Sequence, residues 1–338
     1  MKKIGYILIL SCMAAIQCLA QKKADLRFST EGEFKIVQFT DTHYKWGKGA
    51  SNAATECIAE VLDAEHPDLV VFTGDQVYSD SVASSLQALY APVSDRNIPF
   101  VMVFGNHDAE FDRLHGEMYD MSRSFASSLL PDRDGVGSPD YYLTIQSSDS
   151  LRMSSVLYFF DTHSRTPIEG VGKYAWLRFD QIAWYRQISD EFTASNNGKP
   201  LPSLSFFHIP LPEYSVAVNA EKVAMVGEYR ENVCSPVINS GMFTAMKEQG
   251  DVMATFCGHD HDNDFAVMYH DILLAYGRYS GGKTVYNHLG NNGARVILLK
   301  EGERSLDTWI RLRGGEIKDK ATYPDDFLNP VKKKKSKK

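Results

Sequence analysis

The amino-acid sequence predicts an α/β layered fold, and three observations lead to that prediction. First, the chain of 338 residues contains several apolar, β-rich runs of five to seven residues, which is typical of buried strands. Second, helical patterns lie between several of these runs, as in folds that alternate strands and helices. Third, no long Gly/Ser-rich or Pro-rich linker divides residues 30–310, so we expect one domain over that range.

Five of the apolar runs are of special interest because each ends at polar residues that can bind a metal ion. The runs are Phe34–Thr40, Leu69–Thr73, Phe100–Phe104, Ser203–Phe207 and Val252–Cys257. The polar clusters that follow them are Asp41-Thr42-His43, Gly74-Asp75, Gly105-Asn106-His107-Asp108, His208 and Gly258-His259-Asp260-His261. Loops after the carboxyl ends of strands converge on one site in layered α/β folds. We therefore expect the five clusters to lie together.

Helical patterns account for much of the chain between the predicted strands. The predicted helices are Asn52–Glu65, Ser81–Tyr90, Asp180–Phe192 and Asn239–Glu248. Later strand-like runs are predicted to complete a second sheet: Phe265–Tyr269, Ile272–Tyr276 and Ala294–Leu299. Residues Leu114–Leu151 are rich in Ser, Asp and Gly and show little periodicity, so we expect a long excursion near the mouth of the site.

The charge is distributed unevenly along the chain. The formal net charge is −7, but residues 1–20 contribute +2 and residues 331–338 contribute +6, which leaves −15 for residues 21–330. Such an acidic body argues against a nucleic-acid-binding surface. The lysine-rich tail, residues 331–338, is expected to be solvated and disordered, with weak attraction to anionic lipid or polyanions as the alternative.

The first 20 residues are typical of a secretory signal peptide. Lys2 and Lys3 precede the mostly apolar Ile4–Ile16, and Ala20 closes a small-residue cleavage site. The apolar run is too short to span a membrane, so we expect an exported protein, periplasmic or secreted, without a transmembrane span. Lipoprotein anchoring at Cys12 is the alternative.

Cleavage would leave three cysteines, too few for a disulfide framework. Stability must then come from a hydrophobic core. Cys57 lies in a helical pattern and Cys257 in an apolar strand, so both are predicted to be buried free thiols. Apart from Cys257, the polar clusters have no cysteine neighbour, which makes a thiolate zinc site unfavourable.

The polar clusters combine histidine, aspartate and asparagine, a donor set that suits borderline-hard metal ions. Carboxylate and amide oxygens favour Mn and Mg, whereas imidazole favours Zn and Fe. In Asp41-x-His43 and His259-x-His261 the two donors are two residues apart, and an extended strand end would point both to one face. Glycine precedes the donors at Gly74, Gly105 and Gly258, where a Cβ would crowd the turn.

In this order, the clusters resemble the D-x-H, G-D, G-N-H-D/E, H and G-H-x-H motifs of the calcineurin-like metallophosphoesterase superfamily. The resemblance covers about residues 34–300. Within that superfamily the sequence is similar to the purple-acid-phosphatase-29-like branch. The segments that carry this finer likeness are Asp41-Thr42-His43-Tyr44, Tyr174-x-Trp176-Leu177, Gln181-x-x-Trp184 and Gly277-Arg278. The resemblance implies an α/β fold: a four-layer αββα sandwich of two mixed β-sheets flanked by helices.

The resemblance also implies a dinuclear metal site. One ion would be held by Asp41, His43 and His261. The other would be held by Asn106, His208 and His259, with Asp75 bridging both. The two ions would be divalent or trivalent, with Fe, Mn or Zn favoured over Mg or Ca.

The remaining site residues are assigned on the same basis. His107 would contact the phosphate or the leaving oxygen as a general acid or electrostatic clamp, together with Asn106. Asp108 belongs to the same catalytic loop and is expected to orient it through hydrogen bonds. Arg278 is a candidate phosphate contact, and an outward salt bridge is the alternative.

Some positions depart from the superfamily motifs or fall outside them. Tyr78 stands where many members have a second aspartate, and purple acid phosphatases use a tyrosine there to bind ferric iron. Those enzymes have glycine in place of His43, so we predict that Tyr78 packs beside the site; Asp80 is a possible substitute for the missing aspartate. Asp161-Thr162-His163 is predicted to be structural. Trp176 and Trp184 are predicted to pack in the core or a lid.

The functional prediction is an exported, metal-dependent phosphoric ester hydrolase that acts on a small phosphorylated substrate. The resemblance implies in-line attack by a hydroxide that bridges two metal ions. The acidic body does not prevent phosphate binding, because the ions are the largest local charges. A phosphomonoesterase is favoured. The alternatives are a phosphodiesterase or nucleotide hydrolase on the same site, or a noncatalytic metal-binding module.

Overall fold

A computed structural model describes residues 25–108, 110–111, 115–133 and 139–328. The predicted signal peptide, residues 1–20, and the predicted basic tail, residues 331–338, lie outside these residues. None of the helices in the described ranges combines the length and the apolar composition needed to span a bilayer.

Two mixed β-sheets pack face to face. The first contains β1 (Glu33–Phe39), β2 (Leu69–Thr73), β3 (Phe100–Val103), β11 (Gly293–Lys300), β12 (Leu306–Leu312) and β13 (Ile317–Tyr323). The second contains β4 (Tyr141–Gln146), β5 (Met153–Phe159), β6 (Ser203–Phe206), β7 (Met225–Val226), β8 (Val252–Cys257), β9 (Ala266–Tyr269) and β10 (Ile272–Tyr276). The strand orders are β13-β12-β11-β1-β2-β3 and β4-β5-β6-β8-β10-β9-β7.

The parallel strands lie in the middle of the fold and determine where the site forms. In the first sheet β1, β2 and β3 are parallel neighbours, and β11, β12 and β13 continue it as antiparallel strands. In the second sheet β5, β6, β8 and β10 are parallel, while β4 and the pair β9 and β7 form antiparallel edges. The carboxyl ends of β1, β2, β3, β6 and β8 therefore lead into the five polar clusters.

Helices cover the outer faces of the two sheets. They are α1 (Asn52–Glu65), α2 (Val82–Ser94), α3 (His115–Arg123), α4 (Phe179–Ser195), α5 (Pro212–Val218) and α6 (Met242–Gln249). The apolar residues of α1, α2 and α3 belong to the core that also fills the space between the sheets. On β5, Leu157 and Phe159 face that core, whereas Val156 and Tyr158 pack with α4, α5 and α6. The predicted four-layer α/β sandwich is confirmed.

Two predictions about the later strands need correction. The run Ala294–Leu299 lies in β11, which pairs with β1 in the first sheet, with Val296 opposite Val37, and does not complete the second sheet. Only β9 and β10 do so. The difference arises because a short apolar run shows that a strand is present but not which long-range partner it pairs with.

Two predicted boundaries also differ from the structure. Residues Leu114–Leu151 contain α3 and the edge strand β4, so the segment is more regular than expected. The sequence of β4 gives a weak strand pattern because its middle residues, Tyr142–Thr144, are partly exposed at a sheet edge. The predicted domain end at residue 310 falls within β12, and the first sheet continues to Tyr323.

The cysteines behave as the sequence predicts. Cys57 on α1 and Cys257 on β8 are buried free thiols, and Cys234 is a free thiol in an exposed loop. Burial raises the pKa of the Cys257 thiol well above its ordinary value, so this group stays neutral. The buried cysteines therefore act as small core residues.

Candidate metal centre

The strand ends bring the predicted metal ligands together as two buried triads. Asp41, His43 and His261 form the first triad. Asp75, His208 and His259 form the second. Within each triad, one potential donor atom from each residue lies within 4.8 Å of the others. Residues far apart in the chain thus supply closely spaced nitrogen and oxygen donors.

In the first triad, two imidazole nitrogens face each other. His43 Nε2 lies 3.1 Å from His261 Nε2, which in turn lies 3.7 Å from Asp41 Oδ1. His261 Nδ1 lies 2.9 Å from the carbonyl oxygen of Tyr286 and can only donate to it, so Nε2 of the neutral ring carries the lone pair. A metal ligand needs this tautomer.

In the second triad, the tautomer of His208 is fixed in the same way. Its Nδ1 donates to the carbonyl oxygen of Thr73 at 2.7 Å, which leaves the lone pair of the neutral ring on Nε2. Two buried atoms here have no hydrogen-bond partner among the described residues: Asn106 Oδ1 and His259 Nε2. Each would cost about 1–3 kcal/mol if it stayed unsatisfied. A cation satisfies such atoms, so the residues present fit a metal ion.

Asp75, a member of the second triad, also faces the first. Its Oδ2 is 3.2 Å from His208 Nε2 and 3.6 Å from His43 Nε2, so one carboxylate reaches a member of each triad. Its Oδ1 accepts the backbone N–H of His107 at 2.8 Å, which fixes the carboxylate orientation. This is the position expected of a bridging ligand.

The electrostatics of the centre favour a cation. Burial raises the pKa of the Asp41 carboxyl, and burial lowers the pKa of His43 to about 3. Burial alone would lower the pKa of His208, but the charge and hydrogen bond of Asp75, together with the Asp41 carboxylate and the Thr73 carbonyl oxygen, raise that pKa to about 10. Without metal, the Asp75–His208 pair thus holds a proton that a bound metal ion would displace.

Several predicted ligands have strained backbones. Asp41, His43, Asp75 and His259 have φ values of 53°, 39°, 50° and 83°, in the left-handed region that side chains disfavour. Such residues cost on the order of 1–3 kcal/mol each and concentrate at functional sites. The expectation that extended strand ends aim Asp41 and His43 was therefore wrong. The side chains converge because left-handed turns redirect the chain after β1.

Two glycines leave room for the donors. Gly74 has a φ of +89°, and a Cβ there would lie 2.5 Å from His208 Nδ1. A Cβ on Gly258 would overlap Thr40 Oγ1 and lie 2.8 Å from Asp41 Oδ2. Both agree with the prediction that a side chain would crowd these corners.

His107 lies at the rim of the centre. Its side chain is 33% exposed, its ring centroid is 5.4 Å from that of His43, and its Nδ1 lies 2.8 Å from Glu110 Oε1. The ring is therefore accessible to a ligand while it stays close to the first triad. Glu110 was not identified from the sequence, although it lies only three residues after His107.

A family model described as "Calcineurin-like phosphoesterase" matches residues 34–263. The chain belongs to this family. The match spans all five clusters and the strands β1 to β8, apart from the first residue of β1. Membership of this family associates the two triads with phosphoester chemistry, as the sequence motifs implied.

Three relatives show where this calcineurin-like phosphoesterase lies within the family. It is 33% identical to "Probable inactive purple acid phosphatase 14" of Arabidopsis thaliana, over 86% of this chain and 83% of the relative. It is 31% identical to "Probable inactive purple acid phosphatase 29" of the same plant, over 89% and 87%. It is 33% identical to "Phosphatase DCR2" of Saccharomyces cerevisiae, over 86% and 55%. The predicted likeness to purple-acid-phosphatase-like proteins is confirmed.

Solved structures show the same fold at low sequence identity. A dimetal phosphatase from Danio rerio superposes with a TM-score of 0.59 at 12% identity, over 86% of this chain and 98% of the other. The purple acid phosphatase PPD1 from yellow lupin superposes with a TM-score of 0.55 at 12% identity, over 87% and 55%. These similarities support the αββα architecture.

Asp108 holds the phosphoesterase loops together and does not face a ligand. Its Oδ1 accepts the backbone N–H groups of Gln76 and Val77 at 2.7 and 3.0 Å, and its Oδ2 accepts that of Gly105 at 2.8 Å. The predicted orienting role fits this geometry. Placing Asp108 among the catalytic residues does not, because the buried carboxylate is fully committed to backbone donors.

Arg278 has a structural role instead of the predicted contact with phosphate. Its guanidinium is buried, and it donates to Asp264 Oδ2 at 2.6 Å and to the carbonyl oxygens of Leu289 and Asn291 at 2.7 and 2.6 Å. The alternative of an outward salt bridge is also wrong, since the partner carboxylate is itself buried. The sequence could not show this, because the partner lies 14 residues away.

Tyr78 packs beside the centre, as predicted. Its ring contacts those of His43 and His107 edge-on, with centroid distances of 5.8 and 5.7 Å. Asp80 is exposed, so it does not replace the missing aspartate of the motif. The aromatic wall beside His107 continues to Phe111, whose ring centroid is 5.2 Å from that of Tyr78.

The second D-x-H segment is structural, as predicted. Asp161 Oδ1 accepts the backbone N–H of His163, Thr162 Oγ1 accepts that of Ile209, and His163 Nε2 lies 3.0 Å from Gln181 Oε1. These bonds tie the end of β5 to its neighbours. Trp184 packs against Phe160 at 5.9 Å, in line with the predicted packing role.

Residues that follow the Asp161-Thr162-His163 segment support the centre through contacts that the sequence did not reveal. Ser164 Oγ donates to the carbonyl oxygen of Asn106 at 3.1 Å, and the ring of Tyr174 lies edge-on to His259 with centroids 4.4 Å apart. Tyr174 belongs to the Tyr174-x-Trp176-Leu177 segment, which was the only available signal. Ser164 lies in no recognisable motif.

Proposed function

We propose that this protein is a metal-dependent hydrolase of phosphate esters, with phosphomonoesters as its preferred substrates. The observation that carries the proposal is the pair of buried triads, with Asp75 of the second triad reaching His43 of the first. The names of three relatives contain "phosphatase", which supports a monoesterase. The same residues would serve a phosphodiesterase, so substrate preference has to be measured.

Each predicted ligand has a defined place in this proposal. Asp41, His43 and His261 would hold one ion, and Asn106, His208 and His259 the other, with Asp75 shared. When bound, two such ions lower the pKa of a water molecule and neutralise charge on the phosphate oxygens. The nitrogen and oxygen donors favour Fe, Mn or Zn over Mg or Ca.

The chain itself supplies binding and proton transfer. Asn106 Oδ1 can ligate metal while its Nδ2 donates a hydrogen bond to phosphate, since an amide offers both functions. His107, accessible at the rim, can donate a proton to the leaving oxygen or clamp a phosphate oxygen. Glu110 Oε1, 2.8 Å from Nδ1, orients the ring.

A noncatalytic metal-binding module is the second candidate, favoured by the words "Probable inactive" in the names of two relatives. Against it, this chain retains both donor triads, Asn106 and His107. A missing catalytic group would be a reason to expect inactivity, and none is missing from the ligand set implied by the motifs.

The experiment compares hydrolysis of p-nitrophenyl phosphate and bis(p-nitrophenyl) phosphate by purified protein, with and without a chelator and after return of Mn²⁺, Zn²⁺ or Fe²⁺. We expect metal-dependent turnover, faster on the monoester. His208→Ala should abolish it, whereas Tyr323→Phe, far from the centre, should not. Faster cleavage of the diester would reverse the substrate preference. Bound metal without turnover of either ester would support the noncatalytic module.

We also propose that the protein is exported, on the strength of residues 1–20. Fractionation of cells that express the full chain, followed by N-terminal sequencing of the mature protein, tests this. A mature protein that begins at Gln21 would support signal-peptide cleavage, and one that begins at Cys12 would support lipoprotein processing. Retention of Met1 in the cytoplasm would refute export.

A further inference from the structure

Two surface loops close around His261, and a carboxylate and a phenol hold them together. We propose that Glu231 and Tyr286 are positioning residues. The hydrogen bond between their side chains, here called the latch, holds these loops over His261 and thereby sets how tightly the first triad holds its metal ion. The inference rests on the proposed metal centre, but not on the proposed reaction.

Tyr286 contacts His261 in two ways. Its backbone carbonyl oxygen accepts the Nδ1–H of His261 at 2.9 Å, and its ring stacks on the imidazole with centroids 4.4 Å apart at an interplanar angle of 28°. The first contact selects the tautomer with its lone pair on Nε2, and the second fixes the plane of the ring. Both depend on the position of the loop that carries Tyr286.

Glu231 connects that loop to the residue that follows His261. Its Oε2 accepts the Tyr286 hydroxyl at 3.0 Å, and its Oε1 accepts the backbone N–H of Asp262 at 2.7 Å. The Asp262 carboxylate in turn accepts the backbone N–H and Nδ1–H of His288, at 2.5 and 2.6 Å. Together these hydrogen bonds connect Glu231, Asp262, Tyr286 and His288 around His261.

The loop that carries Glu231 is itself anchored. The backbone N–H groups of Arg230 and Glu231 donate to Asn263 Oδ1 at 3.0 and 3.2 Å, and Asn263 Nδ2 donates to the Glu231 carbonyl oxygen at 3.0 Å. The latch therefore joins a fixed loop to the one that carries Tyr286.

Because the latch lies near the surface, its effect on metal affinity can be measured without a large effect on the stability of the fold. Tyr286 is 47% exposed and Glu231 is only half-buried, so loss of one bond between them should cost the fold little. His261, in contrast, is buried and must present Nε2 in one direction. Outer contacts of this kind typically change metal affinity by about 10–100-fold.

The test uses Tyr286→Phe, which removes only the phenol hydroxyl, and Glu231→Gln, which removes its charge and one acceptor oxygen. Tyr323→Phe is the matched control, because it removes a phenol that donates to the Asp271 carbonyl oxygen at 2.6 Å, remote from the centre. Each variant is made in a His259→Ala background, which disables the second triad. Zn²⁺ binding to chelator-treated protein is then measured by calorimetry.

We expect one Zn²⁺ per chain in the background protein. Tyr286→Phe and Glu231→Gln should each weaken its binding about tenfold or more, and Tyr323→Phe should not. Affinity unchanged in both latch variants, or lowered as much by Tyr323→Phe, would overturn the inference. A wild-type chain that binds no metal would refute the proposed centre itself. Metal binding by the wild type without ester hydrolysis would refute only the proposed reaction.

Discussion

His43 Nε2 and His261 Nε2 lie 3.1 Å apart, although His43 follows β1 of the first sheet and His261 follows β8 of the second. The first donor triad therefore exists only when the two sheets are packed together. An ion bound there connects both sheets of the sandwich, so metal binding and tertiary structure are linked.

The first prediction follows from this linkage. Mn²⁺ or Zn²⁺ should raise the unfolding temperature of chelator-treated protein, because the unfolded chain lacks the assembled triads. At a free metal concentration of 100 times Kd, the gain is about 2.7 kcal/mol for one site. Thermal unfolding followed by circular dichroism measures it. An unfolding temperature that does not change with saturating metal would contradict the prediction.

The second prediction separates a ligand from a proton donor. Asn106→Ala should lower the occupancy of one metal position, because it removes a buried amide oxygen that has no other described partner. His107→Ala should keep both ions and lower kcat by about 10²–10⁴-fold. Elemental analysis of the two purified variants, together with steady-state kinetics, checks this. Loss of metal from His107→Ala would show that His107 is a ligand or supports one.

The third prediction concerns the buried Arg278–Asp264 pair. Arg278→Leu should destabilise the protein by about 3–5 kcal/mol, because it leaves the Asp264 carboxylate buried without its charged partner. The double variant Arg278→Leu/Asp264→Leu should lose less, since it removes the buried carboxylate together with its ion-pair partner. Urea unfolding of the three proteins measures the difference. A stable Arg278→Leu with a raised KM would instead restore the role of Arg278 as a phosphate contact.

The fourth prediction concerns pH. Burial raises the pKa of Asp140 to about 7, while its Oδ1 accepts the backbone N–H of Asp161 and the Nε2–H of Gln181, both at 2.9 Å. The folded state thus favours the neutral carboxyl, and this stabilising contribution is lost as the pH rises through about 7. Asp140→Asn keeps an acceptor oxygen but cannot ionise.

As the pH rises from 5 to 8, the free energy of unfolding of wild type should therefore fall relative to that of Asp140→Asn. Urea titrations at these two pH values measure it, and Gln187→Ala on the exposed face of α4 serves as a control. An equal pH dependence in Asp140→Asn and wild type would show that Asp140 does not titrate in this range.

Local sequence patterns were sufficient to predict much of the fold. The bounds of α1, β2 and β8 agree with the predicted segments because periodicity, strand composition and flanking Pro or Gly are local properties. The site could be predicted for a related reason: its donors directly follow parallel strands, whose carboxyl ends must meet.

Other features depend on contacts that the sequence does not encode locally. The choice of β1 as the partner of β11 is set by long-range pairing, and Arg278 finds Asp264 only in the folded chain. The left-handed backbone of Asp41 and His43 is stabilised by hydrogen bonds to the loop after β2, from Asp41 N to the Gly74 carbonyl oxygen and from His43 N to that of Asp75. The spacing of the motif residues does not predict these interactions.

Titration of chelator-treated protein with Mn²⁺, with hydrolysis of p-nitrophenyl phosphate as the readout, tests the central claim most directly. The structure predicts no turnover without metal and a plateau at two ions per chain, one for each triad. Hydrolysis that persists in the chelated protein, or its absence when two ions are bound, would contradict a dinuclear phosphoesterase.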